Sequence, residues 1–283
     1  MLVTTKVMLE TALAQKYAVA AINTQGGTYD IIRAVCLAAE ELKAPVILAH
    51  YLATGEYSGH DWFFATARWM AEHVNVPVAI HMDHGDTVEN CMNMADLGFT
   101  SIMYDGSALS VEENASNTNR VVEYCHARGI PVEAEIGEIG HAGGAGQDTD
   151  SPRIASMETV RRYLNICSPD SLAIGIGNTH GFYKSKPNIY LDMLLYAREF
   201  TDIPFVLHGC TGMDDNTVRK AIGYGVAKIN FGTQIRYKYM EYIRKGCDMD
   251  FQGHAWKLSR FAERNLREDV KKIIFLSGSE GCA

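Results

Sequence analysis

The chain has 283 residues, a formal net charge of −8 and 47% apolar side chains. That length suits a (β/α)₈ barrel of about 250 residues, and the apolar content can fill one large core. The acidic charge, with no run of Lys or Arg longer than two, argues against a nucleic-acid partner. The seven cysteines form no CxxC pair, the N-terminal segment lacks the apolar run typical of a signal peptide, and no stretch is apolar for long enough to span a membrane. We therefore expect a cytoplasmic protein with reduced thiols and no membrane segment.

Eight short apolar segments recur along the chain, each rich in Val, Ile, Leu and Ala without strict alternation. This pattern is typical of strands that are buried on both faces of a parallel sheet. Proline stands first in four of them, which a strand tolerates because its first N–H makes no ladder bond. The predicted strands are Tyr17–Ile22, Pro45–Ala49, Pro77–Ile80, Ser101–Tyr104, Pro131–Glu135, Ser171–Ile176, Pro204–Leu207 and Val226–Asn230.

Helical patterns lie between most of these strands, so the chain repeats as βα units. An N-terminal helix, Thr5–Ala14, is expected to cap the bottom of a barrel, and Trp256–Leu276 predicts one long amphipathic helix or two. The other predicted helices are Tyr29–Leu42, Trp62–His73, Thr87–Asp96, Val111–Arg128, Met157–Cys167, Leu191–Phe200 and Asp215–Tyr224. Eight strands favour a closed α/β barrel, a (β/α)₈ TIM barrel, over an open sheet of about five to seven. No linker divides residues 1–283, so we predict a single domain.

In such a barrel the active site lies at the carboxyl ends of the strands. Seven of the eight predicted ends present a titratable or metal-binding group or a glycine-rich turn. In strand order the ends carry Asn23, His50-Tyr51, His81-Met82-Asp83-His84, Asp105, Glu133 with Glu135, Gly177–Gly181, His208–Gly212 and Asn230–Thr233.

Three of the ten histidines follow the third, sixth and seventh predicted strands, namely His84, His180 and His208. Closure of the barrel would bring these ends around one mouth. Three imidazoles with an open position are typical of a catalytic Zn²⁺ site. A coincidence of capping histidines is the alternative, and His81 competes with His84 as the ligand from the third strand.

Carboxylates stand close to these histidines. Asp83 is a candidate general acid/base beside a metal, or otherwise an ordinary turn residue. Glu133 and Glu135 share one face of the fifth strand because side chains alternate with period two. Two carboxylates on a buried strand are costly unless they bind a metal or pair with a charge. An ion pair with a lysine is therefore the structural alternative for them.

Glycines and threonines flank the last three strand ends. Glycine lets backbone N–H groups approach an anion closely, and barrels often bind phosphate after strands seven and eight. We therefore predict a phosphate cradle that includes Gly181, Gly209, Thr211, Gly232 and Thr233.

Together these motifs resemble the class II, metal-dependent ketose-bisphosphate aldolases, which include the fructose- and tagatose-bisphosphate enzymes. The resemblance covers nearly the whole chain, and its six ordered motifs are specific. They are Asp83-His84, Asp105-Gly106-Ser107, Glu133-Ala134-Glu135, Gly177–Gly181, His208–Gly212 and Lys228–Thr233, followed by the ending Gly-Ser-Glu-Gly-Cys-Ala.

The resemblance implies a lyase that reversibly cleaves a ketose 1-phosphate or 1,6-bisphosphate to dihydroxyacetone phosphate (DHAP) and an aldehyde. Asp83 would take the proton from the C4 hydroxyl, and Asn230 would hydrogen-bond the enediolate. The implied Zn²⁺ ligands are His84, His180 and His208, with Glu135 in an alternative position and Asp105 nearby; Glu135 is also a catalytic candidate. DHAP would lie among Asn23, Gly181, Gly209, Cys210, Thr211, Asn230, Gly232 and Thr233. A monovalent cation, Na⁺ or K⁺, and a homodimer or homotetramer are further implications.

The departures from the family concern the aldehyde half of the substrate. The family loop after strand five carries a proton-transferring Glu, where this chain has a glycine; His141, Asp148 and Asp150 are candidate replacements. Gly85 follows the Asp-His pair where His or Cys is commoner, and His50-Tyr51 replaces a small hydroxyl residue near the distal phosphate. Arg260 and Arg264 are near only in sequence, so a substrate without a second phosphate stays open.

Two other functions remain as alternatives. A zinc-dependent barrel hydrolase often has His-x-His on strand one and Asp on strand eight, where this chain has Asn23 and Asn230. A non-catalytic sugar-phosphate-binding relative would fit the missing loop Glu but not the intact ligands and Asp83.

Overall fold

The computed structural model describes residues 1–137, 139–141, 154–183 and 185–283. Eight parallel strands close into a barrel in the order β1-β10-β9-β7-β5-β4-β3-β2. They are β1 (Val19–Asn23), β2 (Val46–Tyr51), β3 (Val78–Gly85), β4 (Ser101–Tyr104), β5 (Val132–Ile136), β7 (Ser171–Ile174), β9 (Phe205–Leu207) and β10 (Val226–Phe231). The short strands β6 (Gly140–His141) and β8 (Thr179–His180) pair separately. The predicted (β/α)₈ barrel is confirmed.

Helices surround the barrel between the strands. They are α1 (Thr5–Gln15), α2 (Tyr29–Leu42), α3 (Gly55–Ser58), α4 (His60–Glu72), α5 (Val88–Leu97), α6 (Val111–His126), α7 (Met157–Ile166), α8 (Asp192–Arg198), α9 (Asp215–Gly223), α10 (Thr233–Cys247) and α11 (Ala255–Ser277), with a 3₁₀ turn at Leu52–Thr54. Four begin at a residue whose side chain accepts the N–H three positions on: Thr87, Ser110, Ser156 and Asp214. The C-terminal segment is one helix, α11. Helix α10 is not among the predicted elements, because few of its residues are buried.

No helix in the described ranges is both long and apolar enough to span a membrane.

Apolar side chains form two main layers. The outer layer lies between strands and helices, where Leu48 and Ile80 pack with Ile31 and Phe63. The inner layer closes the barrel floor, where Met8, Leu9 and Ala12 of α1 pack with residues such as Val19 and Ile47. Helix α1 therefore caps the bottom of the barrel, as expected, and polar groups inside the barrel lie above this apolar floor.

Strand β3 is longer than predicted and contains an irregularity that shapes the site. Between Met82 and Gly85 it advances three residues while β4 advances two, from Ile102 to Tyr104. The extra residue is a β-bulge, and His84 within it has a φ of 54°. Strict alternation would put Asp83 and His84 on opposite faces. With the bulge, both line the cavity at the barrel mouth.

Candidate metal centre and substrate cavity

A cavity of about 570 Å³ lies at the carboxyl ends of the barrel strands. Its lining includes most of the predicted site residues. They are Asn23, Asp83, His84, Asp105, His180, Gly181, Gly209, Thr211, Asn230, Gly232 and Thr233. The folded barrel therefore collects around one opening residues that are separated by up to 210 positions in sequence.

The three predicted histidine ligands meet at this cavity, which His84 and His180 line and beside which His208 is fully buried. One ring nitrogen from each of His84, His180 and His208 lies within 4.8 Å of the others, which is close enough to share one ion. The rings are nearly perpendicular or steeply tilted, with centroids 4.7 to 5.8 Å apart. Nitrogen lone pairs from three directions can thus converge on one metal, leaving a coordination position for substrate.

His84 is oriented by Asp105 at the end of β4. Its Nδ1 lies 2.7 Å from Oδ2 of Asp105, while its Nε2 is buried and has no hydrogen-bond partner in the described part of the chain. Burial opposes a charge on His84, but the hydrogen bond to Asp105 and the nearby carboxylates Asp83 and Glu135 raise its pKa to about 10. The surroundings therefore favour a positive charge at this point, and the unpartnered Nε2 suits a metal ion.

His208 is oriented from below by Glu133. Its Nε2 lies 2.9 Å from Oε1 of Glu133, and its Nδ1 lies 3.1 Å from Nδ2 of Asn230. The other carboxylate oxygen of Glu133 accepts a hydrogen bond of 2.7 Å from Nζ of Lys228. Glu133 therefore makes the lysine ion pair left open by the sequence and also contacts a predicted metal ligand. Burial lowers the pKa of His208 well below its usual value, which keeps the imidazole neutral.

His81 lies deeper in the barrel than the three histidines. It is fully buried, and its ring nitrogens contact Oγ of Ser101 at 2.8 Å and Nζ of Lys228 at 3.2 Å. Both nitrogens are thus engaged away from the cavity, and His84 is the β3 histidine in the group that could hold a metal ion.

Asp83 and Asn230 form a pair beside the histidines. Nδ2 of Asn230 donates to Oδ1 of Asp83 at 3.1 Å, and Asp83 is only 7% exposed. Burial works against ionisation of Asp83, but the positive groups around it, His84 foremost, hold its pKa below the usual value. A carboxylate in this position can accept a proton from a bound hydroxyl group.

Glu135 lies two residues above Glu133 on the same face of β5. It forms a second group with His84 and Asp105 whose ligand atoms also lie within 4.8 Å of one another. Its Oε2 is buried and has no hydrogen-bond partner within the described ranges. Burial, and then Asp105, raise the pKa of Glu135 well above its usual range. A cation shared with His84 would relieve this cost.

Glycines, a threonine and a helix terminus form the opposite wall of the cavity. Gly209 has a φ of +68°, and a Cβ atom there would lie 2.3 Å from the carbonyl oxygen of Thr179. The hydroxyl of Thr211 accepts the N–H of Gln234 at 3.2 Å in the first turn of α10. Because α10 begins at Thr233, which lines the cavity, the positive end of its dipole lies at this wall, a position that favours an anion.

Several residues are placed differently from expectation or were not predicted. The thiol of Cys210 is buried and donates to the carbonyl of Leu207, so this side chain does not line the cavity. Arg260 and Arg264 are exposed on α11 and do not line it either. Tyr51 does line it, whereas the ring of His50 stacks on Phe63. Polar lining residues that were not predicted are Gln25, Thr54, Asp86 and Arg236.

The position of Arg236, shortly after the eighth predicted strand, was one signal that could have found it, because the segments that follow barrel strands start at the mouth. Of the candidates for the missing loop Glu, His141 lies in β6, while Asp148 and Asp150 lie outside the described residues.

Comparisons with known proteins agree with this geometry. The sequence model of the family described as "Fructose-bisphosphate aldolase class-II" matches residues 3–282. A fructose-bisphosphate aldolase from Geobacillus stearothermophilus is 38% identical over 251 residues, which cover 86% of this chain and 85% of that protein.

Solved structures give the same result. The crystal structure of the YdjI aldolase from Escherichia coli K12 matches with a TM-score of 0.88 and 31% identity over 100% of both chains. A fructose-bisphosphate aldolase from Campylobacter jejuni shares the fold, with a TM-score of 0.77 and 21% identity over 99% of this chain and 96% of that one. The chain belongs to the class-II fructose-bisphosphate aldolase family.

Proposed function

We propose that the protein reversibly cleaves a ketose 1-phosphate or ketose 1,6-bisphosphate to DHAP and an aldehyde, with Zn²⁺ held by His84, His180 and His208. The observation that carries this proposal is the convergence of three imidazoles beside Asp83 at the edge of one cavity. Three imidazole nitrogens with an open position are the donor set that a catalytic zinc site uses. The buried, unpartnered Nε2 of His84 fits such an ion.

Asp83 is the proposed acid/base. In the cleavage direction its carboxylate takes the proton of the C4 hydroxyl, the C3–C4 bond breaks, and the electron pair moves toward C2 to leave the enediolate of DHAP. Protonation of the enediolate at C3 completes the reaction. Asn230, which donates to Asp83, stands where it can also hydrogen-bond the enediolate.

A divalent metal bound at this centre would supply Lewis-acid stabilisation of the negative charge that develops at the C2 oxygen. Among the chain's own residues, Asp105 and Glu133 hold the imidazoles in place through hydrogen bonds. Glu135 offers a further carboxylate oxygen next to His84, which supports its role as an alternative ligand.

The phosphate of DHAP is proposed to bind at the wall made by Gly181, Gly209, Thr211, Gly232 and Thr233. Support comes from Gly209, which lines the cavity and has no room for a side chain, and from the N-terminus of α10 at Thr233, which also lines it. Asn23 and the backbone of Cys210 complete this proposed donor site.

A substrate panel tests the proposal. Purified protein is offered ketose 1-phosphates and 1,6-bisphosphates, and DHAP is measured with a coupled NADH-dependent reductase. We expect DHAP release that stops with a chelator and returns when Zn²⁺ is added. A barrel hydrolase would release inorganic phosphate instead, and a non-catalytic binder would release neither product. Either result in the metal-loaded protein would refute the aldolase proposal.

The finer parts of the proposal have separate tests. Metal analysis of the purified protein distinguishes Zn²⁺ from other divalent ions, and activity in Na⁺ or K⁺ salts against a tetramethylammonium salt tests the monovalent cation. Light scattering tests the proposed homodimer or homotetramer. Limited proteolysis tests whether residues 1–283 form one domain, and cell fractionation tests the cytoplasmic location.

A further inference from the structure

A chain of hydrogen bonds runs inside the barrel from the floor to the metal centre. Oγ1 of Thr5 donates to Oγ of Ser101 at 2.9 Å, and Oγ of Ser101 lies 2.8 Å from Nδ1 of His81. Nζ of Lys228 then links Nε2 of His81, at 3.2 Å, to Oε2 of Glu133, at 2.7 Å. Oε1 of Glu133 lies 2.9 Å from Nε2 of His208. All six side chains are buried.

The donor and acceptor roles along this series of hydrogen bonds follow from Lys228. A lysine ammonium only donates, and an ionised carboxylate only accepts. Glu133 therefore accepts from both sides, and Nε2 of His208 must carry the proton that it donates. The Nδ1 of His208 then carries no proton, and its lone pair, which accepts from Nδ2 of Asn230, is the one that a metal could use. On the floor side, Nε2 of His81 accepts from Lys228.

Stability alone is a poor explanation for this arrangement. Lys228 is fully buried and Glu133 is 2% exposed, so both charges have lost their contact with water. Such pairs are often replaced by apolar residues without loss of stability. What an apolar pair could not do is hold one tautomer and one ring plane of His208.

We propose that Lys228 and Glu133 are positioning residues that fix the tautomer and ring plane of His208 and thereby set the metal affinity of the centre. This inference rests on the proposed function, because it assumes that His208 is a metal ligand. Asp105 acts on His84 from the mouth of the barrel. The Lys228–Glu133 pair acts on His208 from the interior, where solvent is absent.

The first test measures metal affinity. Apoprotein of the full chain is titrated with Zn²⁺ in competition with a chromophoric chelator, and with Co²⁺, whose visible spectrum reports ligand geometry. Glu133→Gln keeps the side-chain shape but loses the obligate acceptor, so we expect the Kd for Zn²⁺ to rise about 10- to 100-fold. The double variant Lys228→Met/Glu133→Leu leaves no orphan charge, and we expect a similar loss of affinity.

The matched control is Glu263→Gln. Glu263 is also a buried glutamate in an ion pair, with Arg267, but it lies on α11 and makes no contact with His208. We expect its Kd for Zn²⁺ to stay within about twofold of the wild type, because distant sites act independently. A Glu133→Gln variant that folds and binds Zn²⁺ as tightly as the wild type would overturn the inference.

The second test does not depend on whether variants of Lys228 or Glu133 fold. In ¹⁵N-histidine-labelled wild-type apoprotein, long-range ¹H–¹⁵N correlation spectra report which ring nitrogen carries the proton. The signals of His208 are assigned by their loss in His208→Asn. We expect the proton on Nε2, and a proton on Nδ1 would overturn the inference whatever the affinities are. Wild-type protein that binds no metal would refute the proposed function instead, so the two failures are distinguishable.

Discussion

Replacement of Asp83 is the sharpest test of the proposed chemistry. Asp83→Asn keeps the shape of the side chain but removes the carboxylate that would accept the C4 hydroxyl proton. Asn230, which donates to Asp83, keeps a second partner in Nδ1 of His208 at 3.1 Å, so no buried donor is orphaned. The variant should therefore fold, and the change is confined to the proton-transfer step.

The expected loss follows from the position of Asp83. It is 7% exposed, so bulk water has little access to replace the missing base. A positioned general base contributes about 10²- to 10⁴-fold, which is about 3 to 5 kcal/mol of activation free energy. Metal should stay bound, because Asp83 belongs to neither group of metal-binding side chains found in the described residues.

The assay compares kcat for DHAP release with the metal content after dialysis. Asp269→Asn is the matched control, since Asp269 is a similarly buried carboxylate (5% exposed) that contacts Tyr242 and Lys272 on the outer helices. It should keep the wild-type kcat. If Asp83→Asn kept near-normal turnover on the true substrate, or lost its metal, the role given to Asp83 would be wrong.

Three further changes have distinct readouts. His208→Ala removes one of three converging nitrogens, so metal should be lost on dialysis while the fold, followed by circular dichroism, persists. Gly209→Ala places a Cβ 2.3 Å from the carbonyl oxygen of Thr179 at a positive φ, so KM for the phosphorylated ketose should rise. Burial, and then the neighbouring His60, lower the pKa of His50 to about 4. His50 therefore stays neutral in the fold, whereas in the unfolded chain it takes up a proton below its usual pKa of 6.5. Stability should thus fall as the pH drops from about 7.5 to about 5, and about 2 kcal/mol of this loss should vanish in His50→Phe.

Each of these outcomes has a counterpart that contradicts it. Full metal occupancy in His208→Ala would remove His208 from the ligand set. The control for the glycine is Gly223→Ala, where a Cβ meets nothing within 4 Å, and equal KM values in both variants would exclude a tight backbone approach at Gly209. Urea unfolding of His50→Phe with an unchanged pH dependence would mean that His50 does not account for it.

Much of the fold could be predicted because its signals are local. Each strand is a short apolar segment between turn signals, and seven of the eight predicted segments lie within two residues of the observed bounds, while β3 extends five residues beyond its predicted end. Helix α10 escaped because only Ile235 and Gly246 are fully buried in it, so its hydrophobic period is weak. The strand-end rule then located the cavity lining without any knowledge of side-chain positions.

Side-chain direction at the site could not be predicted in the same way. On a regular strand His81 and Asp83 face the interior and His84 faces away from it. The family motif favoured His84, but the physical reason is the bulge against β4, where Met82 pairs with Ile102 and Gly85 with Tyr104. That pairing depends on a neighbouring strand and is invisible in the local pattern.

For the two glutamates of β5, too, the sequence predicted one feature and only the tertiary structure decided another. Their alternation predicted that Glu133 and Glu135 share a face, and the residues alone left metal binding open, with an ion pair to a lysine as the structural alternative. In the fold, Glu133 meets Lys228 from β10 and His208 from the end of β9, while Glu135 lies near His84. These partners lie 51 to 95 positions away in sequence, so only closure of the barrel selects them.

The sequence by itself determined the barrel, the family and the residue types gathered at its mouth, because apolar periodicity and strand-end motifs are properties of short segments. The tertiary structure alone decided which nitrogen of each histidine is engaged, which carboxylate orients it, and how Lys228 reaches the metal centre. Those choices depend on contacts between strands that are far apart in the chain, and a hydrogen bond forms only when its two atoms come within about 3 Å of each other.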